Sequence, residues 1–119
     1  MSRVLVVEDD ASIREIAELA LLSAGHEPHI VSNGASALEL LATEPVDVIL
    51  LDVRMPIMDG AEFARRYRAS SAAPVPIIVL TAARDATIAR NDLPAARYIE
   101  KPFDLERLLA AIDEVVAPA

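Results

Sequence analysis

Cysteine is absent from this sequence, which excludes a disulfide framework, a thiolate metal site and a cysteine nucleophile. No stretch approaches the roughly 20 consecutive apolar residues that a membrane-spanning helix needs, and the N-terminus lacks the layout of a secretory signal. Positive charge is scarce, with a formal net charge of −8 and a single lysine, Lys101. Because nucleic-acid binders usually gather Lys and Arg into a patch, we expect no direct nucleic-acid binding. These absences predict a cytoplasmic protein without a membrane segment.

Short apolar runs rich in β-branched residues punctuate the chain. A chain of 119 residues, 54% of them hydrophobic, is large enough for one domain over residues 1–119 with a single core. The runs are nearly continuous, as in parallel strands that are covered on both faces. The strong ones are 4–7, 46–51 and 75–80, and the weaker ones are 27–32 and 97–100.

Segments with helical spacing separate these runs. Capping boxes start two of the helices at Ser12 and Asp59, Gly25 closes the first helix, and Asp104 caps the last. A weak, alanine-rich helix fills Arg84 to Leu93. Strand and helix thus alternate five times, which predicts an α/β fold with a doubly wound parallel sheet and helices on both faces.

The residues at the strand ends carry the chemistry. In open parallel sheets the reactive site lies at the carboxyl edge, where this chain has Glu8-Asp9-Asp10, Asp52, Thr81 and Lys101-Pro102. Carboxylates that converge on one edge repel each other unless a cation neutralises them. Mg²⁺ takes oxygen ligands and is typically held by one or two carboxylates together with a phosphate. The pattern therefore predicts a Mg²⁺ site for phosphoryl chemistry.

Asp52 is the predicted acceptor. A carboxylate on a central strand can attack phosphorus and form an aspartyl-phosphate without first losing a proton near neutral pH. Phosphoryl transfer asks mainly for positioning and charge stabilisation. Lys101 can pair with one phosphoryl oxygen as a compact cation, and the Thr81 hydroxyl can donate to another.

Four motifs in this order resemble those of bacterial two-component response-regulator receiver domains, and the match covers essentially the whole chain. They are VLVVEDD (4–10), ILLDVRMPIMDG (49–60), IVLTA (78–82) and YIEKPF (98–103). The resemblance implies a flavodoxin-like (βα)5 fold with sheet order 2-1-3-4-5. The resemblance suggests a stand-alone, chemotaxis-regulator-like receiver, and a domain cut from a longer regulator or hybrid kinase fits equally.

The resemblance also implies roles for individual residues. Glu8, Asp9 and Asp52 would hold Mg²⁺, or Mn²⁺ as a substitute, with the backbone carbonyl of Arg54. Asp52 would accept the phosphoryl group from a sensor histidine kinase or a histidine phosphotransfer protein, making the chain a phosphoprotein of a phosphorelay rather than an enzyme in metabolism. It would catalyse only its own phosphorylation and dephosphorylation.

Three further features follow from the resemblance. Lys101-Pro102 would be a cis peptide, and Tyr98 would swing inward as Thr81 moves to the phosphoryl group. The target protein would bind the face formed by the fourth helix, fifth strand and fifth helix. The stretch from Thr81 to Lys101 is about two residues shorter than in most relatives, so we expect the fourth helix to be short, irregular or mobile.

Other interpretations of the same residues remain open at this point. Asp10 caps the first helix or belongs to the acidic site, Thr81 caps the next helix, and Tyr98 is an ordinary strand aromatic. A phosphate-independent pseudo-receiver that acts as an interaction module is one alternative function. A Mg²⁺-dependent phosphatase with an aspartyl nucleophile is another, but position 54 is Arg where such enzymes have a second Asp.

Overall fold

A parallel sheet of five strands forms the centre of the described structure. The computed structural model describes residues 1–53, 55, 58–85, 87, 89 and 95–116. The strands lie in the order β2-β1-β3-β4-β5, as predicted, and every neighbouring pair is parallel. Their bounds are β1 Arg3–Val7, β2 Glu27–Val31, β3 Val48–Asp52, β4 Ile77–Ala82 and β5 Arg97–Lys101. The predicted α/β, flavodoxin-like architecture is confirmed.

Helices cover both faces of this sheet. In the described residues they are α1 Ala11–Ser23, α2 Gly34–Thr43, α3 Gly60–Ser70 and α4 Leu105–Val115, with a single 3-10 turn at Ala83–Asp85. Our α4 corresponds to the fifth helix expected from the sequence. Most of the expected fourth helix, from Arg84 to Leu93, lies outside the described residues, so the expectation of a short, irregular or mobile helix stays a prediction.

Two apolar clusters account for the continuous hydrophobic runs. One face of the sheet packs on α2 and α3 through Ala37, Phe63 and Tyr67, and the other packs on α1 and α4 through Leu21 and Leu108. All five residues of β3 are buried because both faces of this central strand are covered. The strand that ends in Asp52 is therefore held rigidly.

The helix caps agree with the sequence at two places and differ at a third. Asp59 Oδ1 accepts a hydrogen bond from the Glu62 N–H at 2.9 Å, and Asp104 Oδ1 accepts one from Glu106 at 3.0 Å. The prediction that Ser12 caps α1 is wrong. Asp10 is the N-cap, because α1 begins two residues earlier than expected and the backbone N–H of Ser12 donates to Asp10 Oδ1 at 2.9 Å.

No helix within the described residues is long and apolar enough to cross a membrane.

Leu108 offers a test of the packing between α4 and the sheet. Its side chain is fully buried, whereas Leu105 on the same helix is 38% exposed. We expect Leu108→Ala to lower the free energy of unfolding by about 3 kcal/mol, because it leaves a cavity in the core. The matched substitution Leu105→Ala should cost less than about 1 kcal/mol. Urea unfolding followed by circular dichroism measures both, and equal losses would contradict this packing.

Candidate metal-binding site

The carboxyl ends of three strands bring together the charged side chains that the sequence singled out. Asp52 is the last residue of β3 and Lys101 is the last residue of β5. Glu8 directly follows β1, and its N–H donates to the carbonyl of Val31 at 3.2 Å, which extends the strand pairing by one residue. Because β1 and β3 are neighbours in the sheet, Glu8 and Asp52 lie side by side.

Lys101 joins these two carboxylates. Its Nζ donates to both oxygens of Glu8, at 3.1 and 3.3 Å, and to Oδ1 of Asp52 at 3.2 Å. Glu8 is fully buried and Asp52 is 6% exposed. Two buried carboxylates and one ammonium, on a side chain that is 21% exposed, therefore lie together, and their formal charges sum to −1 when all three are ionised.

Asp9 completes an acidic cluster that fits a divalent cation. One carboxylate oxygen from each of Glu8, Asp9 and Asp52 lies within 4.8 Å of the others. Asp9 is exposed, so the cluster opens to solvent on one side. A set of oxygen ligands with access to water suits Mg²⁺, which keeps several of its waters when bound. The residues present therefore fit the ion that the sequence predicted, and Mn²⁺ prefers similar ligands.

The electrostatics of the cluster show an unbalanced negative charge. Burial, followed by the charge of Asp52, raises the pKa of Glu8 to about 7 from 4.5, although Lys101 opposes the shift. Burial also raises the pKa of Asp52, again against Lys101. Burial alone would lower the pKa of Lys101, but the carboxylates of Asp52 and Glu8 raise it overall. Burial therefore favours the protonated forms of Glu8 and Asp52 relative to the same groups in water.

A cleft of about 250 Å³ opens next to these groups. Among the residues that the structure describes, its acidic lining side chains are Glu8, Asp9, Asp10, Asp52 and Asp85. Asp85 was not predicted from the sequence, and neither was Arg84, which also lines the cleft. Asp85 is only 5% exposed, yet no periodic pattern or motif marks it, because it lies in the 3-10 turn after β4.

Asp10 and Thr81 have other partners in this structure. Asp10 lines the cleft, but its side chain caps α1. Thr81 is 1% exposed near the end of β4, and its hydroxyl donates to the carbonyl of Ala82 at 3.2 Å. A role for Thr81 in binding a phosphoryl oxygen would require this hydroxyl to turn.

The remaining predicted site residues lie at β5 or outside the described chain. The hydroxyl of Tyr98 accepts a hydrogen bond from the Ala95 N–H at 3.0 Å, and its half-buried ring packs against the cluster beneath α2 and α3. The Lys101-Pro102 peptide bond is cis. Arg54, whose carbonyl was expected to bind the metal, falls outside the described residues.

Comparison with known protein families agrees with this fold. The sequence model of one family, the response regulator receiver domain, matches residues 4–113. The chain belongs to the receiver domains of two-component response regulators. Domains of this family act in phosphorylation-based signalling and are signalling domains rather than enzymes of metabolism.

A curated relative and two solved structures illustrate the similarity. Response regulator MprA from Mycolicibacterium vanbaalenii is 42% identical over 111 residues, which cover 91% of this chain and 47% of that protein. The chain thus spans about half the length of the curated relatives it matches.

The first structure is the receiver domain of sensor histidine kinase PA1611 from Pseudomonas aeruginosa, with a magnesium ion in its active-site cleft. It is 29% identical, with a TM-score of 0.88 and 97% coverage of both chains. The second is TrrA from Thermotoga maritima in complex with Mg²⁺-BeF, which is 31% identical, with a TM-score of 0.84 and coverage of 97% of this chain and 99% of that one.

The raised pKa of Glu8 predicts how stability depends on pH without metal. The folded state holds a proton on Glu8 up to about pH 7, whereas the unfolded chain releases it near pH 4.5. The stabilisation is therefore complete below pH 4.5 and is lost as the pH rises through 7. We expect metal-free protein to lose about 2 kcal/mol of unfolding free energy between pH 5 and pH 8. Urea unfolding in EDTA measures this change.

Two variants show whether Glu8 is the cause. Glu8→Gln should make the profile between pH 5 and pH 8 less steep, because Gln has no proton to release and only the raised pKa of Asp52 still contributes. Glu39→Gln, an exposed substitution on α2, should leave the slope unchanged. An equal slope in the Glu8 variant and the parent would contradict the assignment.

Proposed function

We propose that this domain is a Mg²⁺-dependent switch that accepts a phosphoryl group on Asp52 and passes the signal to a protein target as a change of conformation. The observation that supports this most is the grouping of Glu8, Asp9 and Asp52 within 4.8 Å, with Lys101 bonded to two of them. Carboxylates that need a divalent cation, beside a lysine at hydrogen-bond distance from the acceptor, favour phosphoryl transfer to that acceptor.

Asp52 is the group in the cluster best suited to accept the phosphoryl group. It belongs to a fully buried central strand, lines the cleft and is held by Lys101, so its direction of attack is fixed. A carboxylate oxygen of Asp52 would bond to phosphorus while the bond from phosphorus to the donor's histidine nitrogen breaks. The donor leaves as neutral imidazole when its other ring nitrogen carries a proton.

The other charged residues would bind the metal ion and the phosphoryl group. Glu8 and Asp9, with Asp52, would hold Mg²⁺, which supplies positive charge to neutralise the phosphoryl oxygens. Lys101 would exchange its bond to Asp52 for one to a phosphoryl oxygen, since the Asp52 carboxylate loses its negative charge when it becomes an acyl phosphate. The donor would be a sensor histidine kinase or a histidine phosphotransfer protein, the partners that act on receiver domains.

A small phosphoryl donor tests the acceptor directly. We expect incubation with acetyl phosphate and Mg²⁺ to add one phosphoryl group, which intact-mass and peptide mass spectrometry would place on Asp52. Asp52→Asn should abolish the adduct, because an amide is a poor nucleophile. Excess EDTA should abolish it in the parent as well.

Asp47→Asn is a matched control, since Asp47 lies at the opposite end of β3, where it accepts a hydrogen bond from the Arg3 N–H. This variant should label like the parent. Labelling that persists in Asp52→Asn would disprove Asp52 as the acceptor. A parent that takes no phosphoryl group would instead support the pseudo-receiver alternative.

Thr81 and Tyr98 would carry the signal away from the site. Tyr98 pairs in register with Val79, and Thr81 is two residues beyond Val79, so both side chains are on the same face of the sheet. When the Thr81 hydroxyl turns from Ala82 to the phosphoryl group, the packing on that face changes. Tyr98 would then leave the Ala95 N–H and move inward.

Fluorine NMR can follow this coupling, because the chain has two tyrosines. With 3-fluorotyrosine incorporated, phosphorylation should shift the Tyr98 resonance, while that of Tyr67, which is buried beside Phe63, should move less. Thr81→Ala should still accept the phosphoryl group but should leave the Tyr98 resonance near its unphosphorylated position. An identical shift in the Thr81 variant and the parent would contradict the coupling.

A further inference from the structure

Arg14 contacts the main chain of all three acidic residues that follow β1. Its Nη1 donates to the carbonyl of Glu8 at 3.0 Å and to the carbonyl of Asp9 at 2.8 Å. Its backbone N–H donates to the carbonyl of Asp10 at 3.0 Å. The bond to Asp10 is the ordinary first-turn bond of α1, whereas the side chain of Arg14 holds the carbonyls of two predicted metal ligands, Glu8 and Asp9.

The two carbonyls define the direction of the Asp9 side chain. The carbonyl of Glu8 belongs to the peptide plane before the Asp9 Cα atom, and the carbonyl of Asp9 belongs to the plane after it. Because peptide units are planar, fixing both planes fixes φ and ψ of Asp9 and hence the direction of its Cα–Cβ bond. Glu8 is also held by burial and by Lys101, whereas Asp9 is exposed. Burial therefore does not hold the Asp9 carboxylate, and the loop backbone sets the direction in which its side chain leaves the chain.

We propose that Arg14 is a positioning residue for the divalent-cation site. By clamping the peptide planes on either side of Asp9, it holds that carboxylate beside Glu8 and Asp52 before the ion arrives, and so it raises the affinity for the ion. The inference rests on the proposed Mg²⁺ site and adds to it a residue that does not touch the ion. Preorganised ligands bind a metal more tightly because less ordering remains to be done on binding.

The charge of Arg14 has a second consequence, which an experiment must separate from the clamp. A cation close to an acidic cluster lowers the repulsion among its carboxylates, but it also repels an incoming cation. Arg14→Lys keeps the charge on a shorter side chain and lacks the guanidinium, so it should not restore both hydrogen bonds. Arg14→Gln removes the charge and the clamp together.

Calorimetric titration with MgCl₂ tests the clamp without any phosphoryl donor. We expect Arg14→Gln to bind Mg²⁺ about tenfold more weakly than the parent, the usual scale for residues that orient metal ligands. Arg14→Lys should recover less than half of that loss on a logarithmic scale. Arg107→Gln, which removes an exposed arginine from α4, should stay within about twofold of the parent.

A measurement on metal-free protein separates local loosening from general destabilisation. In EDTA, hydrogen exchange of the Glu8 amide should speed up in Arg14→Gln, while exchange of the Leu50 amide in the middle of β3 should stay at the parental rate. Faster exchange at both amides by the same factor would mean that the variant is merely less stable, which would overturn the inference. If Arg14→Gln does not fold, the same comparison is made between Arg14→Lys and the parent.

The outcomes distinguish this inference from the proposed function. If the parent binds no Mg²⁺, the proposed metal site fails and the inference fails with it. If the parent binds Mg²⁺ and Arg14→Gln binds it equally well, only the role of Arg14 is overturned. Full recovery of affinity by Arg14→Lys would also overturn the clamp, because charge alone would then account for the effect.

Discussion

The site depends on two buried carboxylates, Glu8 and Asp52, that share a single ammonium group on Lys101. In a medium of low dielectric, this arrangement leaves negative charge that neither water nor the protein fully balances. A bound proton can neutralise part of this negative charge, as the raised pKa of both carboxylates indicates. A divalent cation can neutralise it as well, and a third carboxylate, Asp9, lies close enough to bind that cation. This excess of negative charge on carboxylate oxygens suits a hard divalent cation such as Mg²⁺.

The order of the strands in the sheet brings the negative charges of Glu8 and Asp52 together at the carboxyl ends of the strands. With β1 and β3 adjacent at its centre, the carboxyl ends of two rigid, buried strands hold Glu8 and Asp52 side by side. Lys101 comes from β5, at one edge of the sheet, and its long side chain spans the distance. The carboxyl ends of the strands open into the cleft, so the proposed acceptor, Asp52, can be reached from solvent although it is nearly buried. The rigid strands fix the positions of the charged side chains, and the loops that follow the strands leave a cleft through which a ligand can reach them.

The sequence predicted the parts of this structure that leave a local signal. Apolar runs marked the strands, and strand ends marked Asp52 and Lys101, because parallel topology fixes where carboxyl ends meet. The cap of α1 was misassigned to Ser12 because Asp10 and Ser12 are both good caps, and only the helix start decides between them. Arg14 was overlooked, since an arginine that reaches back to backbone carbonyls has no characteristic spacing.

The energy for a conformational switch can come from the groups around Asp52. Moving a two-state equilibrium from 1:99 to 99:1 takes about 5.5 kcal/mol of differential interaction. A hydrogen bond to a charged group contributes roughly 1.5–3 kcal/mol. Thr81 would exchange a bond to a neutral carbonyl for one to a charged phosphoryl oxygen, and the difference would supply part of this energy. Lys101 already donates a hydrogen bond to Asp52, whereas the Thr81 hydroxyl must break its hydrogen bond to the carbonyl of Ala82. Thr81 is therefore the group whose movement can transmit the change of charge to the face of the sheet where Tyr98 lies.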